Sequence, residues 1–303
     1  MEPFLHTLAL LVIGMGLRKV PQFPRETAQA LNLFVIYVSL PALVLLKVPS
    51  LRFSSDLLVP VLMPWAMLTI SGALTLGASR ILRLDRKTTG LLLLVVPLGN
   101  TSFLGIPMVT AFLGESGVPY ALLYDQFGSF LALSTYGSAI VAFYGGDGRL
   151  QPYELTKRIF TFPPFLSLAV ALFLVSFPNP YPNAVRSLLA LLSATLVPVV
   201  MIAVGFQLSP RPAPGHIRPL AAGLAIKLVA APLIALISCR VLGLEGLATQ
   251  VAILEAGMPP MVSAAAIAAM AGLSPGLSAA LVGFGILLSF VTLPVLVQLL
   301  MVS

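Results

Sequence analysis

The stretch "GNTSFLGIP", Gly99–Pro107, decides how this sequence is read. "LLLLVVPL" (91–98) leads into it and "MVTAFL" (108–113) follows. Both flanks read as one membrane helix, yet the middle carries Asn100, Thr101 and Ser102, then Gly105 and Pro107. A polar group in hydrocarbon is costly unless protein or a water-lined cavity answers it. Proline removes a backbone donor and clashes with the preceding turn, and glycine loosens the helix further. The interruption therefore points to a cavity inside the span rather than to a lipid-facing surface.

The rest of the chain supports the membrane setting. Of its 303 residues 58% are hydrophobic and 9% are charged, with a mean hydropathy of +1.03. A soluble domain carries about 25% charged residues. The net charge of +7 does not indicate nucleic acid, because the basic residues sit in short loops between apolar runs, where they set topology. The single cysteine, Cys239, has no thiol partner for a disulfide or a metal site. The N-terminal "MEPFLHTLALLVIGMGLRKV" lacks a basic leader region and a small-residue cleavage site, so it reads as a first span.

A helix needs about 20 apolar residues to cross a bilayer. Ten segments qualify, near 3–20, 25–47, 57–82, 87–113, 117–145, 158–177, 183–208, 218–241, 245–271 and 275–301. Arg18, Lys19, Arg25, Arg80, Arg83, Arg86, Lys87, Arg149, Lys157, Arg158, Arg211 and Arg218 follow the odd-numbered spans. Lys47, Arg52, Arg186 and Arg240 follow the even-numbered ones, and Lys227 lies inside span 8. The positive-inside rule then puts both termini outside.

The two halves echo each other. Pro3 in "PFLHTLAL" matches Pro164 in "PFLSLAV", Pro41 in "SLPALVLL" matches Pro198 in "TLVPVVMI", and Gly90 matches Gly246, at offsets of 161, 157 and 156 residues. Five spans per half make the second half enter from the opposite side, which is the inverted repeat of secondary transporters. The expected fold is an all-α polytopic membrane protein of ten helices. Residues 1–145 and 158–303 form the two repeats, and 146–157 form a short cytoplasmic linker. A second interruption, "EAGMPP" (Glu255–Pro260), falls in span 9, the counterpart of span 4. Paired interruptions of this kind point to a binding site near the bilayer midplane, where half-helix ends offer N–H groups to an anion and carbonyls to a cation. A packing kink is the competing reading of either break alone.

"GNTSFLGIP", "YDQFG" (124–128) and "EAGMPP" resemble motifs of the auxin efflux carrier family, which includes plant PIN auxin exporters and bacterial permeases for malonate and malate. The resemblance extends along the whole chain. It implies the fold of sodium/proton antiporters and bile acid symporters. Broken spans 4 and 9 would cross in a mobile domain with spans 3, 5, 8 and 10, and spans 1, 2, 6 and 7 would form a scaffold and a homodimer interface. The short loop at 146–157, where many plant members carry a long one, resembles a bacterial-type member of a plasma (inner) membrane.

The candidate substrate-binding residues are Asn100, Thr101, Ser102 and Pro107 at the first break and Met258, Pro259, Pro260 and Ser263 at the second. Asn32, Tyr37 and Gln207 in spans 2 and 7 are candidates from the scaffold side. Ionisable residues within spans are functional candidates by default. Here they are Asp125, beside Gln126, with Lys227 and Glu255. By resemblance to the bile acid symporters, Glu255 is a candidate Na⁺ ligand; H⁺ coupling and uniport stay open, as does a structural pairing of Lys227 with either acid. The expected substrate is a small organic anion such as a carboxylate or an auxin-like compound, with no cofactor, no tightly bound metal and no partner beyond lipid and a second copy of the chain. A sensor, a channel and an intramembrane enzyme are the alternatives. An enzyme has the least support, since there is no His-Glu-x-x-His motif and the two deep acids lie in different spans.

Overall fold

The computed structural model of the chain describes residues 2–24, 26–51, 54–145, 161–177, 180–208 and 215–301. The 146–157 linker and the basic residues Arg25, Arg52, Arg149, Lys157, Arg158 and Arg211 lie outside the described residues. Among the described residues the regular structure is helical: α1 (Glu2–Leu17), α2 (Thr27–Ser50), α3 (Ser55–Ile81), α4 (Arg86–Val95), α5 (Thr101–Leu113), α6 (Glu115–Tyr144), α7 (Pro163–Leu174), α8 (Asn183–Gln207), α9 (Ile217–Val241), α10 (Leu247–Ala256), α11 (Val262–Met270) and α12 (Pro275–Met301). Six of these, α2, α3, α6, α8, α9 and α12, are long and apolar enough to cross a membrane. Apolar side chains that suit lipid stand on these helices and on the shorter ones: Phe143, Ile237 and Val291 on the former and Val12 and Phe173 on the latter are each at least half exposed.

Local chemistry sets the helix ends. Asp85 caps α4, accepting from the Lys87 and Thr88 amides at 2.9 and 3.0 Å and from the Thr88 hydroxyl at 2.6 Å. The Thr88 hydroxyl leads the contacts that hold the Asp85 carboxyl below the usual carboxylate range. Five stretches widen to π-helix: Val35–Ser39 in α2, Thr101–Gly105 in α5, Tyr124–Phe130 and Leu133–Gly137 in α6, and Ile226–Ala230 in α9. π-Turns are rare and recur at functional sites. Three of these five hold Thr101 and Ser102, Asp125 and Gln126, and Lys227.

The chain forms two compact units. The first comprises Met1–Ser55, Ser102–Leu122 and Lys157–Leu208. Its principal seam joins α1 to α8. A Cβ on Gly14 would stand 2.2 Å from the Ile202 carbonyl oxygen, and one on Gly205 would stand 2.1 Å from that of Leu11. Glycine at both positions is what lets the two backbones touch. In the same unit the hydroxyls of Ser39 (α2) and Thr195 (α8) hydrogen-bond at 2.7 Å. The Tyr181 hydroxyl donates to the Leu45 carbonyl at 3.0 Å.

The second unit comprises Asp56–Thr101, Leu123–Thr156 and Ser209–Ser303. Its core gathers Leu91, Leu92 and Leu94 of α4, Leu224 and Leu228 of α9, Ala264 and Ala268 of α11, and Leu277 and Leu281 of α12. Pro64 of α3 packs where a Cβ on Gly128 of α6 would be. Next to it, the Trp65 indole donates to the Phe127 carbonyl at 3.0 Å.

Candidate functional site: two helix breaks bonded to each other

The first break begins ahead of the Gly99–Pro107 stretch. Helix α4 ends at Val95, residues 96–100 leave the helix, and the chain resumes as a π-turn over Thr101–Gly105 before the α-helical Ile106–Leu113. Pro107 is the second residue of that α-helical stretch, where a missing N–H costs little. The proline inside the interruption is Pro97, which the sequence reading left within the apolar flank. The second break runs from Gly257 to Met261, as "EAGMPP" implied.

These breaks strand backbone groups on buried residues, and the two segments answer each other. The Asn100 amide donates to the Pro259 carbonyl at 2.8 Å. The Met261 amide donates to the Leu98 carbonyl at 3.0 Å. Gly99 and Pro260 thus form an antiparallel bridge. A Cβ on Gly285 of α12 would meet the Pro260 ring at 2.6 Å, so α12 lies directly against the crossing.

Asn100, Thr101, Asp125, Gln126, Lys227 and Glu255 are all at least 96% buried. The Asp125 carboxylate accepts from the Thr101 hydroxyl at 2.5 Å and from the Gln126 amide at 2.6 Å. The Lys227 ammonium donates to the Ala256 carbonyl at 3.4 Å. Both carboxylate oxygens of Glu255, the Asn100 side-chain amide nitrogen and the Gln126 side-chain oxygen have no hydrogen-bond partner among the described residues. Glu255 interacts through space with Lys227 and Asp125. It also acts on Tyr124, a buried residue that the sequence reading did not single out. The arrangement offers an amide donor and an acidic acceptor, both buried and neither spent on the protein itself.

The remaining candidates divide between the units. Met258, Pro259 and Pro260 are buried at the second break, whereas Ser263, one turn further, is exposed. Ser102 and Pro107 belong to the unit that holds α1 and α8. So do Asn32, whose buried side-chain oxygen has no hydrogen-bond partner among the described residues, and the exposed Tyr37 and Gln207. Among the described residues no three His, Cys, Asp or Glu side chains cluster as a metal site. Sequence reasoning also passed over a column in α3, Ser71, Thr75 and Ser79, whose buried hydroxyls have no partner among the described residues. Their i, i+4, i+8 spacing was the available signal.

A family model described as membrane transport protein matches residues 1–147 and 149–297. The chain belongs to that family, the auxin efflux carrier family. Members similar to it include an uncharacterized transporter of Methanothermobacter thermautotrophicus, 30% identical over 97% of this chain and 96% of that one. An uncharacterized transporter of Methanocaldococcus jannaschii is 28% identical over 86% of this chain and 85% of its own. As an auxin efflux carrier family member with several membrane-length helices, the protein is a multi-pass membrane transporter.

Proposed function

We propose that this family member is a secondary carrier of small organic anions, carboxylates above all, and not an enzyme. The observation that carries the reading is the bonded pair of helix breaks, with the unspent Asn100 amide on one strand and the Glu255 carboxyl at the end of the other helix. An amide aimed into a dry site stabilises a carboxylate strongly. A hydrogen bond to a charged group is worth about 1.5–3 kcal/mol. Glu255 and Asp125 supply the acidic groups for coupling to H⁺.

The transport cycle in this reading is alternating access, with the unit that holds the crossing moving against the unit that holds α1 and α8. Ten spans in two inverted repeats suit it. Ser39 and Thr195, counterparts in the repeat, bond to each other, and so do the two breaks, which is the behaviour of residues at a pseudo-two-fold axis. The basic loops support a topology with both termini outside a plasma membrane, and the scaffold unit would carry the homodimer contact.

Counterflow in proteoliposomes tests the reading. Vesicles are loaded with unlabelled mono- and dicarboxylates, indole-3-acetate among them, and exchange of the labelled compound is followed. Wild type accelerates exchange of at least one anion. Asn100→Ala, still folded, binds that anion roughly 10- to 100-fold more weakly. Absence of exchange for every anion with folded wild-type protein would sink the proposal.

A further inference from the structure

By resemblance to the bile acid symporters Glu255 would hold a Na⁺ ion, and the chemistry of this helix end bears directly on that. In an unbroken helix the carbonyl of residue i accepts from the N–H of residue i+4. At the end of α10 the carbonyls of Glu255 and Ala256 would need the N–H groups of Pro259 and Pro260, and proline has none. Tandem proline therefore strands two successive carbonyls at the negative end of a half-helix dipole, deep in apolar protein. The structure gives each carbonyl a partner. Glu255 accepts from the Met258 amide at 3.1 Å. Ala256 accepts from the Lys227 ammonium.

The ammonium also reaches the opposite break. A Cβ on Gly99 would stand 3.2 Å from Nζ of Lys227, so glycine there leaves the room the amine uses. Lys227 itself lies on the π-turn of α9 and is 4% exposed. One fixed cation thus touches the end of α10 and the crossing strand, with the Glu255 carboxyl as its through-space neighbour. At 3.4 Å from the Ala256 carbonyl, the ammonium supplies the positive charge that an alkali-metal ion would otherwise bring to this helix end. The residues at this helix end do not fit a Na⁺ ion, because that charge is already supplied by a side chain.

We infer that Lys227 is the resident cation of the crossing: its ammonium supplies the charge an alkali-metal ion would bring to the end of α10, so the native protein binds anion without Na⁺, and removing the amine opens a Na⁺ site on Ala256 and Glu255. The inference rests on the crossing being the transport site, but its test reads ion binding alone and requires no substrate.

The purified full-length chain is unfolded thermally in detergent while choline chloride is replaced by NaCl at constant ionic strength. The native chain melts at the same temperature throughout. Lys227→Met melts lower in choline and recovers saturably with Na⁺, by roughly 3 °C or more. Lys227→Met with Glu255→Gln does not recover. Two results would overturn the inference: saturable stabilisation of the native chain by Na⁺, or a folded Lys227→Met that responds equally to Na⁺ and choline. If Lys227→Met does not yield folded protein, the native chain decides by itself: a flat response upholds the resident cation and a saturable one removes it. Failed anion exchange alongside this ion pattern would discard the carrier reading and leave the cation assignment standing.

Discussion

Two places in this protein bring backbone against backbone, and they do it in opposite ways. At the seam of α1 and α8 the contacting stretches, Glu2–Leu17 and Leu196–Gln207, are both α-helical. The contact needs only that Gly14 and Gly205 carry no side chain. At the crossing of residues 98–100 with 259–261 the helices are broken, and the freed amides and carbonyls bond across the gap. The first contact is apolar and complete in itself. The second leaves Asn100, Gln126 and Glu255 with atoms unspent. In an environment without water, a chain either remains helical and approaches through glycine or breaks and finds partners for its backbone. The break is the costlier choice, and it is the one that leaves chemistry available to a ligand.

The largest effect should come from destroying the apolar contact. Gly205→Leu forces a side chain into the Leu11 carbonyl and parts α1 from α8, a backbone shift costing about 3 kcal/mol or more. Its control is Gly16→Ala on the same helix α1, where nothing lies within 4 Å of an added Cβ. That change should be neutral or stabilise by up to about 1 kcal/mol through helix propensity. Thermal unfolding and the monodisperse fraction in detergent read both. Equal melting temperatures for Gly205→Leu and wild type would mean the seam is not held by close backbone approach.

The same comparison bears on what could be read from the sequence. The helix positions were legible because long apolar runs bounded by Pro, Gly and charge leave few alternatives; Pro275–Met301 needed nothing more. The break in the fourth span was legible, but the stretch Gly99–Pro107 covers only part of it: the helix already ends at Val95, ahead of Pro97. A proline is disruptive only where its N–H was wanted, and the π-turn before Ile106 removes that demand at Pro107. The partner of Lys227 was not legible as an acid because the bonded acceptor is a carbonyl. The loss of its normal donor follows from Pro260, but which side chain arrives to replace it depends on how α9 packs. Ser263 fell on the wrong side of α11 for a related reason: helix start and facing direction are separate facts, and the sequence carries the first more clearly than the second.

A middle-sized effect should come from one bond inside the crossing. Thr101→Val keeps the shape of a side chain that is 1% exposed but removes the donor to Asp125. Loss of a hydrogen bond to a buried carboxylate should destabilise the protein by about 2 kcal/mol and slow anion exchange, while Thr101→Ser keeps the donor and most of both. Thr101→Val with unchanged stability and exchange would show that Asp125 is satisfied without Thr101. The polar crossing would then be more redundant than the glycine seam.

The smallest effect should come from the same chemical change elsewhere in the unit. Thr75 of α3 is fully buried, as Thr101 nearly is, yet its hydroxyl has no hydrogen-bond partner among the described residues. Burying a hydroxyl without a bond is unfavourable, so replacing it with a methyl removes a cost rather than an interaction. Thr75→Val should therefore leave stability within about 0.5 kcal/mol or raise it by about 1 kcal/mol, with exchange unaltered. The pair Thr101→Val and Thr75→Val holds residue type, burial and substitution fixed and varies only whether the hydroxyl is bonded. If Thr75→Val instead lost more than about 1 kcal/mol, or lost exchange, its hydroxyl would have a partner such as an ordered water. The Ser71, Thr75 and Ser79 column would then belong to the polar system of the crossing and not to the apolar packing around it.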